Sequence, residues 1–171
     1  LGGVAASEEE EREEEEEEKK KDSGYSRMHI DRAGTLELSG GLPTRITGGM
    51  EIELEAAEDP GTPMRLRAQE SRFEYGGGGG PGKVVLLGGV EVDGPMGAIT
   101  ADAAELDLAQ GRYAFSGKVA GSSEAAGAFE AAELVYEPGA VKLEGSARVT
   151  QEGGITAWAE ALDLNLAADK L

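Results

Sequence analysis

The stretch Gly77–Val84, GGGGPGKV, spells the G-x-x-x-x-G-K half of a phosphate-binding loop. Such a loop also needs a Ser or Thr after the lysine to hold Mg²⁺, and a helix opening towards the phosphates. Val84 follows Lys83 instead, and an alternating, strand-like run follows Val84, so the segment reads as a hairpin loop. His29 is the only histidine and there is no cysteine. No histidine metal cluster, thiolate site or His-dependent triad can therefore be assembled. Asp163–Asp169, DLNLAAD, lacks the glycine and the terminal glutamate of a calcium loop. The scattered Asp and Glu pairs fall on outward strand positions, which makes them solvated faces and not a paired acid–base site. Trp158 could anchor a ligand or an interface, although a single tryptophan in a β-protein is more often core or edge. No residue set points to catalysis, so the expectation is a non-enzyme with no cofactor and no metal.

Charge narrows the partners. Lys and Arg number 16 against 34 Asp and Glu, for a net charge of −18. Nucleic acid needs the opposite sign to neutralise its phosphates, and direct docking on an anionic membrane surface is disfavoured for the same reason. Much of the excess sits at one end. Residues 8–22, EEEEREEEEEEKKKD, hold eleven acids and four bases, a net of 4 − 11 = −7. Like charges at i,i+4 repel, and no apolar face exists to dock the segment, so residues 1–24 are expected to be a disordered acidic tail. Leu1–Ser7, LGGVAAS, reads either as the small-residue remnant of a cleaved signal peptide or as linker. No run of about 18 apolar residues is present, so no segment here is expected to cross a membrane as a helix.

The elements that remain are strands, and they repeat. GVEVDGPMGAITADAAELDL (Gly89–Leu108) is followed by GKVAGSSEAAGAFEAAELVY (Gly117–Tyr136) and GSARVTQEGGITAWAEALDLNL (Gly145–Leu166). Gly88, Gly117 and Gly145 are 117 − 88 = 29 and 145 − 117 = 28 residues apart, and Leu106, Leu134 and Leu162 keep a spacing of 28. A fixed period of this size implies stacked units, each burying its apolar face on its neighbours. Within a unit the pattern is period two, as in Val141, Leu143, Gly145, Ala147 and Val149 against Lys142, Glu144, Ser146, Arg148 and Thr150. Glycine recurring on the inward row implies a bend or a narrow place. The second half of each unit is rich in Ala, Glu and Leu, yet its alternating ends argue for strand. Its apolar parity switches between Ile99/Ala101 and Leu106/Leu108, as a bulge or corner would require. An earlier copy runs from Thr35, with Phe73 and Tyr75 at the Leu106 and Leu108 positions. Breakers in EDPGTP (58–63) and GGGGGPG (76–82) separate its strands. About ten strands with short turns, and no helix, are expected from Tyr25 onward.

The order strand–Gly–x–Val–x–Val, Gly-containing turn, Ile–x–Ala–Asp, alternating strand resembles the OstA-like repeat. That repeat defines the lipopolysaccharide-transport proteins of the LptA and LptC type and the N-terminal domain of LptD. Gly88, Val90, Val92, Ile99, Ala101 and Asp102 all fall on its pattern. Other copies keep the glycine but place Glu130 and Trp158 near the Asp position. The resemblance covers roughly residues 28–171. It implies an all-β fold, an antiparallel β-jellyroll: a V-shaped stack of repeats, open at both ends. It also implies a periplasmic location, a groove for the acyl chains of lipopolysaccharide or another acylated lipid, and edge-to-edge pairing with other OstA-like domains. The residues offered to the groove are Leu86, Val90, Val92, Ile99, Leu106, Tyr113, Phe115, Val119, Phe129, Leu134, Tyr136, Leu143, Val149, Ile155, Leu162 and Leu164. Burying an acyl chain there is worth roughly 0.8 kcal/mol per methylene.

Two departures from the family stand out: an acidic surface that would repel lipid A phosphates, and a shorter chain with the glycine-rich insertion at 76–82. A soluble LptA-type bridge is favoured over an LptC-type subunit because no membrane anchor is visible. The competing class is a structural β-solenoid, filament or adhesin-like module without cargo. Small inward residues, such as Ala101, Ala147 and Ala157 beside the repeat glycines, lean towards a cavity, or else signal two closely packed sheets.

Overall fold

Alternation of apolar and charged residues drives nearly every segment into strand, because only a period of two puts all the apolar side chains on one face. In a computed structural model the described residues are 25–56, 63–76, 80–94, 97–123, 127–151 and 153–165. They form β1 (Tyr25–Ser39), β2 (Leu42–Ala56), β3 (Met64–Ala68), β4 (Glu70–Tyr75) and β5 (Pro81–Gly94). These are followed by β6 (Gly97–Asp107), β7 (Arg112–Ser123), β8 (Gly127–Glu137), β9 (Ala140–Thr150) and β10 (Thr156–Asn165). The fold is all-β, as expected, with no helix among these residues. The acidic tail, most of EDPGTP and Gly77–Gly79 of the phosphate-loop look-alike lie outside the described residues. Val84 of that motif lies within β5.

All ten strands form one antiparallel sheet, ordered as a meander from β1 to β10. β3 and β4 share one place between β2 and β5. Gln69 breaks them apart: its carbonyl accepts from the Gly49 N–H, and its own N–H donates to the Gly88 carbonyl, each at 2.9 Å. Tight turns make the meander possible. Gly40 and Gly41 link β1 to β2 with φ of 60° and 82°, the double left-handed geometry that suits a two-residue hairpin.

A single sheet covers its own apolar face only by folding over, and the sequence supplies the crease. On β5, Leu87 pairs with Ala103 and Val90 with Ala101, so Gly88 and Gly89 oppose Asp102 alone. The same two-against-one bulge sets Gly117 and Lys118 against Ala132, and Gly145 and Ser146 against Glu160. Every one of these bulged residues has positive φ, including Lys118 and Ser146 at 50°. The repeat glycines are therefore corners, lying between inward side chains and not among them. A Cβ on Gly117 would come within 2.5 Å of the Asp102 carboxylate. The position expected to hold Glu130 and Trp158 is occupied by Ala132 and Glu160, and the expected parity switch lies on β6, β8 and β10.

The corners divide each long strand into two limbs whose inner faces pack together. One inner row runs Ile30, Ile52, Leu66, Val92, Ile99, Gly121, Phe129, Val149, Ala157. Another, on the opposite limb, runs Leu36, Ile46, Ser71, Leu86, Ala104, Phe115, Leu134, Leu143, Leu162. Each row spans the whole sheet. The Phe129 ring fills the space over Gly121, where a Cβ would meet it at 2.7 Å.

The ladder corrects the leucine period. Leu106 pairs with Tyr113, and Tyr113 with Tyr136 and not Leu134. Equivalent residues on β6, β8 and β10 are thus 136 − 106 = 30 and 164 − 136 = 28 apart, as Val141 carries the row on to Leu164. A shift of two residues preserves the face, so the spacing stays regular while Leu134 and Leu162 lie one row away from Leu106.

Candidate functional site

The expected site residues meet on the shared inner face, and the structure brings nearly all of them there. Leu86, Val90, Val92, Ile99, Leu106, Tyr113, Phe115, Val119, Phe129, Leu134, Leu143 and Val149 belong to one buried cluster, with Tyr136, Leu162 and Leu164 packed against it. Ile155 does not join them. It is 67% exposed, ahead of the first residue of β10. Its placement followed the 28-residue period (155 − 99 = 2 × 28), whereas the ladder sets Ala157 in the row of Ile99.

The interior is well covered. Leu86, Leu106 and Leu143 are 0% exposed, as are Ile46 and Val84 on neighbouring strands. The small inward residues do not hold the limbs apart: Ala101 and Ala147 are buried within the cluster, and Ala157 is exposed at the edge. Tyr113 and Tyr136 stack with ring centres 5.3 Å apart and planes 7° from parallel, closing one row with aromatic surface. Burial raises the Tyr136 phenol above its ordinary value, and does the same to Tyr75.

The packing loosens at both ends of the meander. Among the described residues β1 pairs only with β2, and β10 only with β9, which makes them the two edges of the described sheet. At the first edge Leu36, Leu38 and Leu42 are 41%, 59% and 46% exposed, although Leu36 continues a row whose next member, Ile46, is fully covered. At the second edge Leu162 and Leu164 are half-buried. Trp158 lies on the outer face of β10, 68% exposed, with the Arg148 guanidinium 5.1 Å over its ring. It is an edge residue, not core.

The outer faces offer little chemistry. A concavity of about 670 Å³ on the outer side is lined by Glu51, Glu53, Arg65, Arg67, Glu91 and Thr100, among others. Its arginines are already engaged: Arg67 bridges Glu51 and Glu91, both at 3.2 Å, and Arg65 reaches Glu53 at 3.4 Å. Lys83 and Lys142 are paired with Glu105 and Glu144, and the hydrogen bonds they donate to those carboxylates hold both amines above their ordinary value. His29 lies 3.3 Å from Asp31 at the surface. Among the described residues no three His, Cys, Asp or Glu side chains converge as metal ligands would. No described helix is long and apolar enough to cross a membrane.

Among the described residues the interior also holds polar groups that the period did not single out. Ser71 is 0% exposed and its hydroxyl has no hydrogen-bond partner, and the Tyr75 hydroxyl is likewise unpartnered. The signal was available, since Ser71 shares the parity of the inward Phe73 and Tyr75. No protein-family model and no curated protein matches this chain.

Proposed function

We propose that this chain is an acyl-lipid carrier of the OstA-like, LptA-type class. In this reading it acts in the periplasm, shields the acyl chains of lipopolysaccharide or another acylated lipid, and does no catalysis. One observation carries the reading: the inner rows, apolar but for Ser71 and Gly121, run from β1 to β10 and emerge at the two outermost described strands. A closed sandwich would terminate such rows under a cap. Such edge strands support the associated partner reading, in which another OstA-like domain adds its own strand and prolongs both the sheet and the apolar rows. The packed interior sets the mechanism, because an acyl chain enters only if the limbs part along the side opposite the corners. Head groups then stay outside in solvent, since the chain carries a net charge of −18 and repels their phosphates.

The same packed interior favours a second reading, a structural module without cargo. Native mass spectrometry of the full chain with lipid A separates the two. A carrier gives stoichiometric adducts, weakened by Leu38→Asp, a change at an exposed rim residue that leaves the circular dichroism spectrum intact. A folded protein that takes up no lipid leaves the structural module standing.

A further inference from the structure

Among the described residues Ser71 Oγ and Tyr75 Oη are buried hydroxyls without a hydrogen-bond partner. Both project from the inner face of β4, on either side of Phe73. Ser71 interrupts a row that is otherwise apolar, between Ile46 and Leu86. A buried hydroxyl left unpaired destabilises the fold relative to the Ala that would fit the same place, so packing gives no reason for it. Its position gives one. The row begins at the exposed Leu36, and adjacent strands lie about 4.8 Å apart, so Ser71 is about 10 Å inward from the β1 edge. Tyr75 is four residues further along β4, roughly 13 Å away. Two hydrogen-bonding groups thus sit on the apolar inner face, Ser71 in a row that reaches the exposed Leu36 and Tyr75 further along the same strand.

We infer that Ser71 and Tyr75 are polar rungs that receive an oxygen-bearing group carried along an acyl chain, such as a hydroxyl or an ester. This rests on the carrier reading and specifies its cargo: oxygenated chains in preference to plain hydrocarbon chains. When the limbs part, each hydroxyl gains the partner it lacks in the packed state, while the rest of the chain meets only aliphatic and aromatic surface.

The test is a titration of the full chain with stearic acid, 3-hydroxystearic acid and 12-hydroxystearic acid, followed by calorimetry. At least one hydroxy acid binds roughly threefold to tenfold more tightly than stearic acid, as one added hydrogen bond provides. Ser71→Ala or Tyr75→Phe abolishes that preference and leaves stearic acid affinity unchanged. Neither variant threatens folding, because each removes an unpaired group. If hydroxy acids bind no better than stearic acid, or if Ser71→Ala raises the melting temperature without touching the preference, the inference falls and the carrier reading survives. If none of the three acids binds, the inference falls, and the uptake of lipid A decides the carrier reading by itself.

Discussion

Replacing Gly117 with alanine tests whether the crease shapes this fold. The residue has φ of 79°, a region that strains any L side chain by about 1–2 kcal/mol. The new Cβ would also lie 2.5, 2.7 and 2.9 Å from Oδ2, Cβ and Cγ of Asp102. The carboxylate can swing away but the Asp102 Cβ cannot, so the backbones of β6 and β7 must separate, at a further cost of about 1–3 kcal/mol. Gly89→Ala isolates the first term: its φ is 56° and no atom lies within 4 Å of the added carbon. Urea unfolding followed by circular dichroism should therefore place Gly117→Ala about 2–5 kcal/mol below the parent and Gly89→Ala only about 1–2 kcal/mol below. Asp102→Gly removes the clashing Cβ, so in that background Gly117→Ala should cost no more than Gly89→Ala does. Equal losses for Gly117→Ala and Gly89→Ala in the parent would refute the argument that close approach at the corner governs the crease.

Other outcomes follow from burial and charge. Leu106→Ala should cost about 2–5 kcal/mol and Ile155→Ala less than about 0.5 kcal/mol in the same unfolding assay, because only the first residue lies in the packed rows. Alkali should destabilise the protein. Burial holds the Tyr75 and Tyr136 phenols above 10.0, and paired carboxylates hold Lys83 and Lys142 above 10.5. All four native values exceed the unfolded ones, so this stability is complete below the unfolded values and is lost as pH rises through the native ones. Denaturation midpoints should be flat around neutrality and fall above about pH 10, and Tyr75→Phe should lessen the fall. A midpoint that rises in that range would contradict the burial of these phenols.

What the sequence determined by itself was the kind of element and the face each residue would show. Strict alternation in segments such as Val141–Thr150 allows only strand. Gly88, Gly117 and Gly145 marked the bends, because a repeated glycine amid bulky neighbours marks a place where a side chain is not tolerated. The inward set followed almost whole, since parity survives any even error in register. That is also why the error went unseen: the 28-residue leucine period keeps Leu106, Leu134 and Leu162 on one face while assigning two of them to the wrong row. Only the hydrogen-bond ladder between strands distinguishes a row from its neighbour two residues away, and that ladder is a non-local property. It moved Ile155 out to solvent and set Asp102, Ala132 and Glu160 against the corners. Likewise, whether small inward residues leave a cavity depends on how far two limbs close on each other. In three dimensions Phe129 covers Gly121, and Leu86, Leu106 and Leu143 lose all exposure. The lone hydroxyl of Ser71 had its direction written in the sequence. That no partner would reach it was decided by the apolar neighbours that tertiary packing brought around it.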